Sequence, residues 1–287
     1  MTLARQQPAT DRPAPLRPRP APHPLAEPVR QLGRALLQIV RNAGSDLLML
    51  WRSLLWSRAL WFKRHEVLRQ CWVAGIGSLG VVAFVGCFTG MILSLAAGIE
   101  LAKFGQQDVV GSLVAISMAR EMGPFMTALI LTANVGSSMA AEIGTMKVSE
   151  EIEALEVMSI DIHRFLVMPR LLAMMAVTPL LTVVANLLGN LGGAVVGYYQ
   201  LGVTFSRYYH NAIDILDLKA IYTGLFKALV FGVIIAVVGC GKGLRTSGGA
   251  LGVGEATRTS VIVCFLYIMV FGYVITALFY GGQLGGG

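Results

Sequence analysis

Residues 119–158 read AREMGPFMTALILTANVGSSMAAEIGTMKVSEEIEALEVM. Arg120 and Glu121 stand side by side, and the twenty residues after them, 122–141, carry no charge. A charge in the middle of a bilayer costs at least about 2.5–3.5 kcal/mol and persists mainly where it is paired or faces a polar cavity. The stretch therefore predicts a functional membrane-spanning helix with two charges near one end. Pro124 predicts a bend beside them, because its ring opposes the Arg120 carbonyl.

The end of this stretch, 150–158, has a different pattern. Ile152, Leu155 and Met158 recur at three-residue spacing, and most of the other positions are acidic: Glu150, Glu151, Glu153 and Glu156. The segment is too short and too acidic to cross a bilayer, so we expect a short amphipathic helix outside the membrane. Two interpretations stay open: a docking surface for a soluble partner, or a solvated connector.

The rest of the chain is apolar enough for several further spans. Hydrophobic residues make up 55% of the sequence and charged residues 14%, and the mean hydropathy is +0.67, far from the values of a soluble domain. Runs with little or no charge predict five spans, with a glycine-rich loop at 241–254 before the last. The predicted spans are 70–99, 109–143, the start of 171–206 as far as Tyr198 and Tyr199, 220–241 and 259–280. We therefore predict an all-α polytopic membrane protein.

The N-terminal region differs in composition. Residues 1–30 contain eight of the eleven prolines together with several arginines, which predicts disorder. Residues 31–66 alternate apolar and arginine positions, which predicts an amphipathic helix in the membrane interface or, alternatively, a cytosolic helix packed on a partner. The membrane domain is expected at 67–281, and 282–287 form a glycine-rich tail.

Basic residues indicate an orientation. With the N-terminus in the cytoplasm, eighteen Lys and Arg residues fall on the cytoplasmic side and three on the opposite side. This bias follows the positive-inside rule and places 150–158 in the cytoplasm. Lys227 falls inside the fourth predicted span, near enough to one end that it could either snorkel to the surface or act within the membrane.

Small residues predict close helix contacts. Gly86 and Gly90 are four residues apart in the first predicted span, and Gly189, Gly193 and Gly197 repeat every four residues in the third. Such faces let two helix backbones approach closely in a membrane. The contact could lie within one protomer or between two.

Several kinds of catalytic motif are missing. The run 239–243, Gly-Cys-Gly-Lys-Gly, lacks the Ser or Thr that a phosphate-binding loop needs after its lysine, so we expect no ATP hydrolysis by this chain. All four histidines lie outside the predicted spans, and neither Gly-x-Ser-x-Gly nor His-Glu-x-x-His occurs. The four cysteines are widely spaced, which indicates neither a zinc site nor a disulfide framework. No metal or cofactor is expected.

Several motifs resemble the MlaE family, the permease subunits of bacterial ABC transporters for phospholipids or related lipids. They run in one order over about 67–280: Glu121-Met-Gly-Pro, Gly136-Ser-Ser-Met-Ala-Ala-Glu-Ile-Gly-Thr-Met, Glu150-Glu-Ile-Glu-Ala-Leu-Glu-Val-Met-Ser-Ile-Asp with Pro169-Arg170, Lys227, and Gly249-Ala-Leu-Gly-Val-Gly-Glu-Ala-Thr-Arg. The chain departs from the family at Ala133-Asn134 and Asp161-Ile162, where Gly-Arg and Asp-Pro are common.

The resemblance implies a non-catalytic permease in the bacterial inner membrane that contributes to outer membrane lipid asymmetry. Its implied partners are a second copy in a homodimer, an ABC ATPase subunit, a periplasmic MCE-domain lipid-binding protein and optionally a small STAS-like cytosolic subunit. Phospholipid is the implied cargo, and no nucleic acid is expected. The alternatives are an ATP-independent lipid carrier or scramblase, and a structural membrane scaffold.

The resemblance also assigns residues. The implied lipid-pocket residues are Leu93, Leu101, Phe104 and Met122. Arg120, Glu121 and Lys227 are implied intramembrane charges that shape or gate the pocket, with a structural ion-pair cluster joining the second and fourth spans as the alternative. The implied ATPase-coupling residues are Glu150, Glu151, Ile152, Glu153, Leu155, Glu156 and Met158.

Overall fold

Five long helices dominate the computed structural model, which describes residues 44–51 and 60–281. They are span 1 (Arg64–Ala102), span 2 (Gln107–Val148), span 3 (His163–Leu201), span 4 (Leu218–Leu244) and span 5 (Gly249–Tyr280), and each is long and apolar enough to cross a bilayer. Two short helices connect them, here named the acidic helix (Glu151–Val157) and the outer helix (Phe205–Ile215). The all-α architecture with five spans is confirmed.

The spans extend beyond the predicted limits. Span 1 belongs to a helix that begins at Leu60, and span 3 begins at His163 with a π-helical turn. The prediction of a glycine-rich loop at 241–254 is wrong, because only 245–248 leave the helical conformation. Gly243 lies so close to span 2 that a Cβ on it would come within 2.7 Å of the Ile143 Cβ. Gly243 therefore permits close helix packing, whereas Gly248 and Gly249 have positive φ where the chain turns into span 5.

The predictions for residues 1–43 and 52–59 and for the tail 282–287 lie outside the described part of the chain. Residues 44–51 are helical. Their inner side buries Met49 and Asp46, whose carboxylate accepts a hydrogen bond of 2.8 Å from the Arg245 guanidinium. Burial raises the Asp46 pKa although Arg245 opposes the shift. Leu47, Leu48 and Trp51 remain exposed, which is compatible with the predicted interfacial position.

The two glycine faces meet each other within one protomer. A Cβ on Gly90 would lie 1.8 Å from the Gly189 carbonyl oxygen, so spans 1 and 3 touch backbone to backbone. One turn further out, the Ser94 hydroxyl donates a hydrogen bond of 2.9 Å to the Gly193 carbonyl. The contact within the protomer is thus the one that the structure contains, and it fixes span 1 against span 3.

Span 2 is helical throughout but changes its winding twice. Its π-helical turns are Met118–Met122 and Thr132–Gly136, on either side of the α-helical segment Gly123–Leu131. Pro124 lies in the first turn of that segment. The ring of a proline crowds the preceding turn of a helix, and a wider π turn before it relieves this crowding. The winding changes at the position where the sequence predicts a bend.

Two apolar clusters hold the spans together. The larger one joins all five spans through fully buried side chains such as Val82, Leu131, Leu171, Phe231 and Ile268. The smaller one, here named the outer cluster, consists of Val110, Val114, Met118, Ala194, Val203 and Tyr208. Through Tyr208, the outer helix covers the first turns of span 2.

Candidate functional site: an ion-pair cluster between spans 2, 4 and 5

Lys227 is the most buried charge among the described residues, with 1% of its side chain exposed. Its ammonium nitrogen Nζ lies 2.6 Å from Glu121 Oε1, 2.6 Å from Thr276 Oγ1 and 3.0 Å from the Arg120 carbonyl oxygen. An ammonium has three hydrogens, and these three acceptors use them all. Lys227 therefore does not snorkel, and it joins spans 2, 4 and 5 at one point.

Proline explains one of these acceptors. In a regular helix the Arg120 carbonyl would accept a hydrogen bond from the backbone N–H of residue 124, but Pro124 has none. Lys227 donates to that oxygen. The sequence element that predicts the bend thus also supplies a backbone acceptor inside the membrane, where unsatisfied carbonyls are costly.

Thr276 is the member of the cluster that sequence reasoning missed. Its hydroxyl oxygen accepts from Lys227 and lies 2.9 Å from both Glu121 Oε1 and the Gly272 carbonyl oxygen. Because a hydroxyl has a single proton, it donates to one of these two oxygens at a time. A lone threonine in an apolar span gave little signal, since threonine can always bond to the carbonyl four residues earlier.

Arg120 does not pair with its neighbour Glu121. Its guanidinium carbon lies 3.6 Å from the centre of the Tyr280 ring, and Lys219 approaches the same ring at 4.8 Å. Contacts of this type contribute about 0.5–2 kcal/mol, depending on solvent exposure. The two adjacent charges therefore serve different contacts, Glu121 with Lys227 and Arg120 with the end of span 5.

The cluster forms one wall of a cavity of about 330 Å³ between spans 2, 4 and 5. Its lining residues are Glu121, Phe125, Lys227, Phe231, Ile268, Met269, Gly272, Tyr273 and Thr276. A charged and hydrogen-bonding wall faces mostly apolar side chains. Such a cavity has the chemistry for an amphipathic ligand, and polar groups buried in a membrane mark functional sites.

Comparison with known proteins identifies the family. The model of the family described as Permease MlaE matches residues 67–278, which include all five spans and the cluster. The chain belongs to the MlaE permease family. Its match to this family covers the region that the motifs indicated.

Relatives of this MlaE-family permease occur in several lineages. A probable ABC transporter permease protein of Rickettsia typhi is 36% identical over 214 residues, which cover 75% of this chain and 83% of the relative. The intermembrane phospholipid transport system permease protein MlaE of Haemophilus influenzae is 29% identical over 260 residues, covering 88% and 97%. The chloroplastic protein TRIGALACTOSYLDIACYLGLYCEROL 1 of Arabidopsis thaliana is 31% identical over 218 residues, covering 76% and 62%.

Three of the four residues expected to line a lipid pocket in this MlaE-family permease lie together. Leu93, Leu101 and Met122 are partly buried and pack against the outer cluster. Phe104 lies in the turn after span 1 and is 77% exposed. Because Met122 follows Glu121 in the chain, span 2 connects this group to the ion-pair cluster.

The acidic helix is attached firmly to the rest of the permease. Ile152 is 2% exposed and belongs to the larger apolar cluster, against which Leu155 also packs. Glu153 forms an ion pair with Lys147 at the end of span 2, and this hydrogen bond lowers the Glu153 pKa. The exposed side chains are those of Glu150, Glu151, Ala154, Glu156, Val157 and Met158. A docking partner would therefore contact these residues, while Ile152 and Leu155 face the permease itself.

Proposed function

We propose that this permease moves a phospholipid or a related lipid between the inner membrane and the periplasm or outer membrane. The observation that carries the proposal is the cavity between spans 2, 4 and 5, where Lys227, Glu121 and Thr276 face Phe125 and Phe231. A lipid has a charged headgroup and apolar chains, and this cavity offers partners for both. The Haemophilus influenzae relative, named for intermembrane phospholipid transport, supports the same cargo.

In this proposal the intramembrane charges shape and gate the lipid path. Lys227 holds three spans together through one ammonium group, so any movement of span 2 relative to spans 4 and 5 changes its contacts. A lipid phosphate could replace the Glu121 carboxylate as its partner. Leu93, Leu101, Met122 and Phe104 would contact the lipid further out, beside the outer cluster.

A separate ABC ATPase supplies the energy in this proposal. Its docking surface would be the exposed side of the acidic helix, where Glu151, Glu156 and Met158 are accessible. The opposite side is fixed to the core by Ile152 and to span 2 by the ion pair of Glu153. Force applied to the acidic helix would thus reach span 2, which carries Glu121.

The assembly that we propose has further partners. Two copies of the permease form a homodimer in the bacterial inner membrane, with the N-terminus in the cytoplasm. A periplasmic MCE-domain protein receives or delivers lipid at the outer face, and a small STAS-like subunit binds the ATPase in systems that have one. The charge bias of eighteen basic residues against three supports this orientation.

Transport by the complex tests the proposal. The permease and its ATPase are reconstituted in vesicles, and transfer of a fluorescent phospholipid to an MCE-domain acceptor is followed with and without ATP. Lys227→Met should lower ATP-dependent transfer at least about tenfold, because loss of a buried charge-assisted hydrogen bond is worth about 1.4 kcal/mol or more. Arg120→Ala removes the contact with the Tyr280 ring and should lower transfer by a smaller factor. Transfer at an equal rate without ATP would indicate a scramblase, and unchanged transfer by both variants would indicate a structural role.

A second measurement tests the docking surface. Glu151→Lys and Glu156→Lys reverse two exposed charges without touching the core. They should weaken copurification of the ATPase and uncouple its hydrolysis from lipid. Glu255→Lys, an exposed charge near the start of span 5, is the matched control. Normal binding and coupling in the double variant would remove the acidic helix from the proposed docking site.

A further inference from the structure

A second charged cavity lies at the other end of the membrane domain, where spans 1 and 3 begin and span 2 ends. Its volume is about 460 Å³. The lining residues are His65, Glu66, Arg69 and Gln70 of span 1, Met146 of span 2, and Phe165, Leu166, Pro169 and Arg170 of span 3. The cavity therefore mixes charged groups with apolar side chains. We name it the seam cavity.

Each arginine that lines the seam cavity is paired with a carboxylate. Glu66 lines the cavity as well, whereas Glu142 lines a neighbouring one. The Arg170 side chain is 9% exposed, donates 2.9 Å to Glu142 Oε2 and 3.0 Å to the Leu166 carbonyl, and keeps a buried Nε with no hydrogen-bond acceptor among the described residues. Arg69 is exposed and donates to Glu66 Oε1 at 3.0 Å. Each guanidinium is thus accompanied by a carboxylate.

An apolar groove of about 370 Å³ lies deeper between the same two spans. Its lining residues are Leu68, Cys71, Trp72, Gly75, Ile76 and Leu79 of span 1, and Ala176, Val177, Leu180, Leu181 and Val184 of span 3. Spans 1 and 3 run in the same direction, because a single reversed span separates them. On span 1, Arg69, Trp72 and Ile76 follow one another at three- and four-residue spacing on one side of the helix. On span 1 the groove begins at Leu68, beside Arg69, and on span 3 it begins at Ala176, six residues (176 − 170) beyond Arg170.

We propose that the seam cavity and the groove together bind one phospholipid of the surrounding leaflet. The headgroup lies in the seam cavity, with its phosphate at the guanidinium groups of Arg69 and Arg170, which are suited to phosphate oxygens. One acyl chain lies along Trp72 and Ile76 in the groove. On the orientation proposed above, this leaflet is the cytoplasmic one.

The charge pattern selects the class of headgroup. A purely anionic headgroup would place its extra charge beside the carboxylate of Glu66, the acidic residue that lines the seam cavity. A headgroup with a phosphate and a primary ammonium matches both signs, because the ammonium can donate a hydrogen bond to this carboxylate. A quaternary ammonium has no N–H to donate. The site should therefore prefer phosphatidylethanolamine to both phosphatidylglycerol and phosphatidylcholine.

This site is separate from the ion-pair cluster. Met146 and Glu121 lie 25 residues apart on span 2 (146 − 121), which corresponds to about 37 Å along a helix. The binding test below uses no ATPase and no transport. Its failure would leave the proposed lipid transport untouched, and the failure of transport would leave this site untouched.

Trp72 reports directly on the groove. Replacing Trp51, Trp56 and Trp61 with Phe leaves it as the single tryptophan of the full chain. The protein is placed in bilayers that contain increasing fractions of phospholipid with brominated acyl chains, which quench tryptophan on contact. We expect brominated phosphatidylethanolamine to quench half of the Trp72 fluorescence at a mole fraction roughly tenfold lower than brominated phosphatidylglycerol or phosphatidylcholine does. A tenfold difference corresponds to about one charge-assisted hydrogen bond.

Charge variants complete the test. Arg69→Gln, on an exposed side chain that should not affect folding, is expected to remove most of the preference. Arg170→Lys keeps the buried charge but loses the planar fork, and should reduce the preference as well. Arg258→Gln, exposed at the start of span 5, should leave it unchanged. Equal quenching by all three lipids would show unselective contact with bulk lipid, and strongest quenching by phosphatidylglycerol would show an anion site; either result overturns the proposal.

Discussion

Removing the Glu121 carboxylate should destabilise the permease more than removing the Lys227 ammonium, although the two groups form one ion pair. Lys227 is 1% exposed, whereas Glu121 is 43% exposed. Glu121→Ala leaves a buried ammonium with two neutral acceptors, the Arg120 carbonyl and Thr276. Lys227→Met leaves the Glu121 carboxylate, which is partly exposed and can still accept a hydrogen bond from the Thr276 hydroxyl. The two variants therefore differ in which charge is left unpaired.

The expected sizes follow from this asymmetry. Breaking a fully buried pair by removing one partner costs about 3–5 kcal/mol. Because Glu121 is partly exposed, its attraction to Lys227 is weaker than in a fully buried pair. We therefore expect Glu121→Ala to lower the free energy of unfolding by about 2–3 kcal/mol. For Lys227→Met we expect about 1–2 kcal/mol, because the Glu121 carboxylate is partly exposed but the Arg120 carbonyl loses its hydrogen bond. Glu121→Ala should thus lower the melting temperature by roughly 5–10 °C, given the usual relation between free energy and melting temperature for a chain of this size.

A double-mutant cycle provides the measurement. Thermal unfolding is followed by tryptophan fluorescence in one detergent for both single variants and for Glu121→Ala combined with Lys227→Met. The double variant should be more stable than Glu121→Ala alone, because it no longer contains a buried unpaired charge. Glu255→Ala is the control for loss of an exposed carboxylate and should not change the melting temperature. A double variant no more stable than Glu121→Ala would refute the reasoning.

Three further predictions concern other parts of the fold. Gly90→Ala should destabilise the protein by about 1–3 kcal/mol or more, because the new Cβ would meet a backbone oxygen of span 3. Gly80→Ala on the same helix should not destabilise it, because a Cβ at Gly80 has no neighbour within 4 Å. The melting temperatures of the two variants test this difference. Tyr208→Phe should leave the stability of the protein unchanged or raise it by up to about 1–3 kcal/mol, since the buried Tyr208 hydroxyl has no hydrogen-bond partner among the described residues. A clearly lower melting temperature would show that the hydroxyl has a partner. The pKa of the Glu153 carboxyl is lowered from 4.5 in the folded protein, so its ion pair with Lys147 should stabilise the protein fully above pH 4.5. This stabilisation should be lost as the pH falls through the lowered pKa. Hydrogen exchange of the acidic helix should therefore rise at that low pH in the native chain but not in Glu153→Gln.

The five spans were predictable because the signal for a membrane helix is local. A run of about 20 residues without charge is readable in the sequence itself. Arg120, Glu121 and Lys227 were identifiable for the same reason, as exceptions within such runs. Their partners were not predictable, because pairing depends on which turns of different spans face one another. Thr276 shows this limit, since nothing near it in the chain distinguishes it from a threonine that bonds only to its own helix.

The spacing of residues also did not show which surfaces two of the predicted helix faces pack against. The repeat of Gly189, Gly193 and Gly197 predicted a close contact but not its partners. Gly189 and Gly193 lie against span 1 of the same protomer, whereas Gly197 lies against Tyr208 of the outer helix. The spacing of Ile152 and Leu155 predicted an apolar side on the acidic helix but not what covers it. In both cases amphipathic periodicity defines a face, whereas the identity of the opposing surface is a property of the assembled fold.

Span 2 carries both ends of the proposed coupling, and its winding determines how it can transmit force. Lys147, which holds the acidic helix through Glu153, lies 26 residues from Glu121 (147 − 121), about 39 Å along the helix. The π turn Thr132–Gly136 lies between them, and the π turn Met118–Met122 contains Glu121 itself. π turns interrupt the regular hydrogen-bond ladder, and bending of a helix concentrates at such points. A tilt imposed at the acidic helix would therefore be taken up at these two turns, so that the Glu121 end of span 2 moves against Lys227 without breaking the helix.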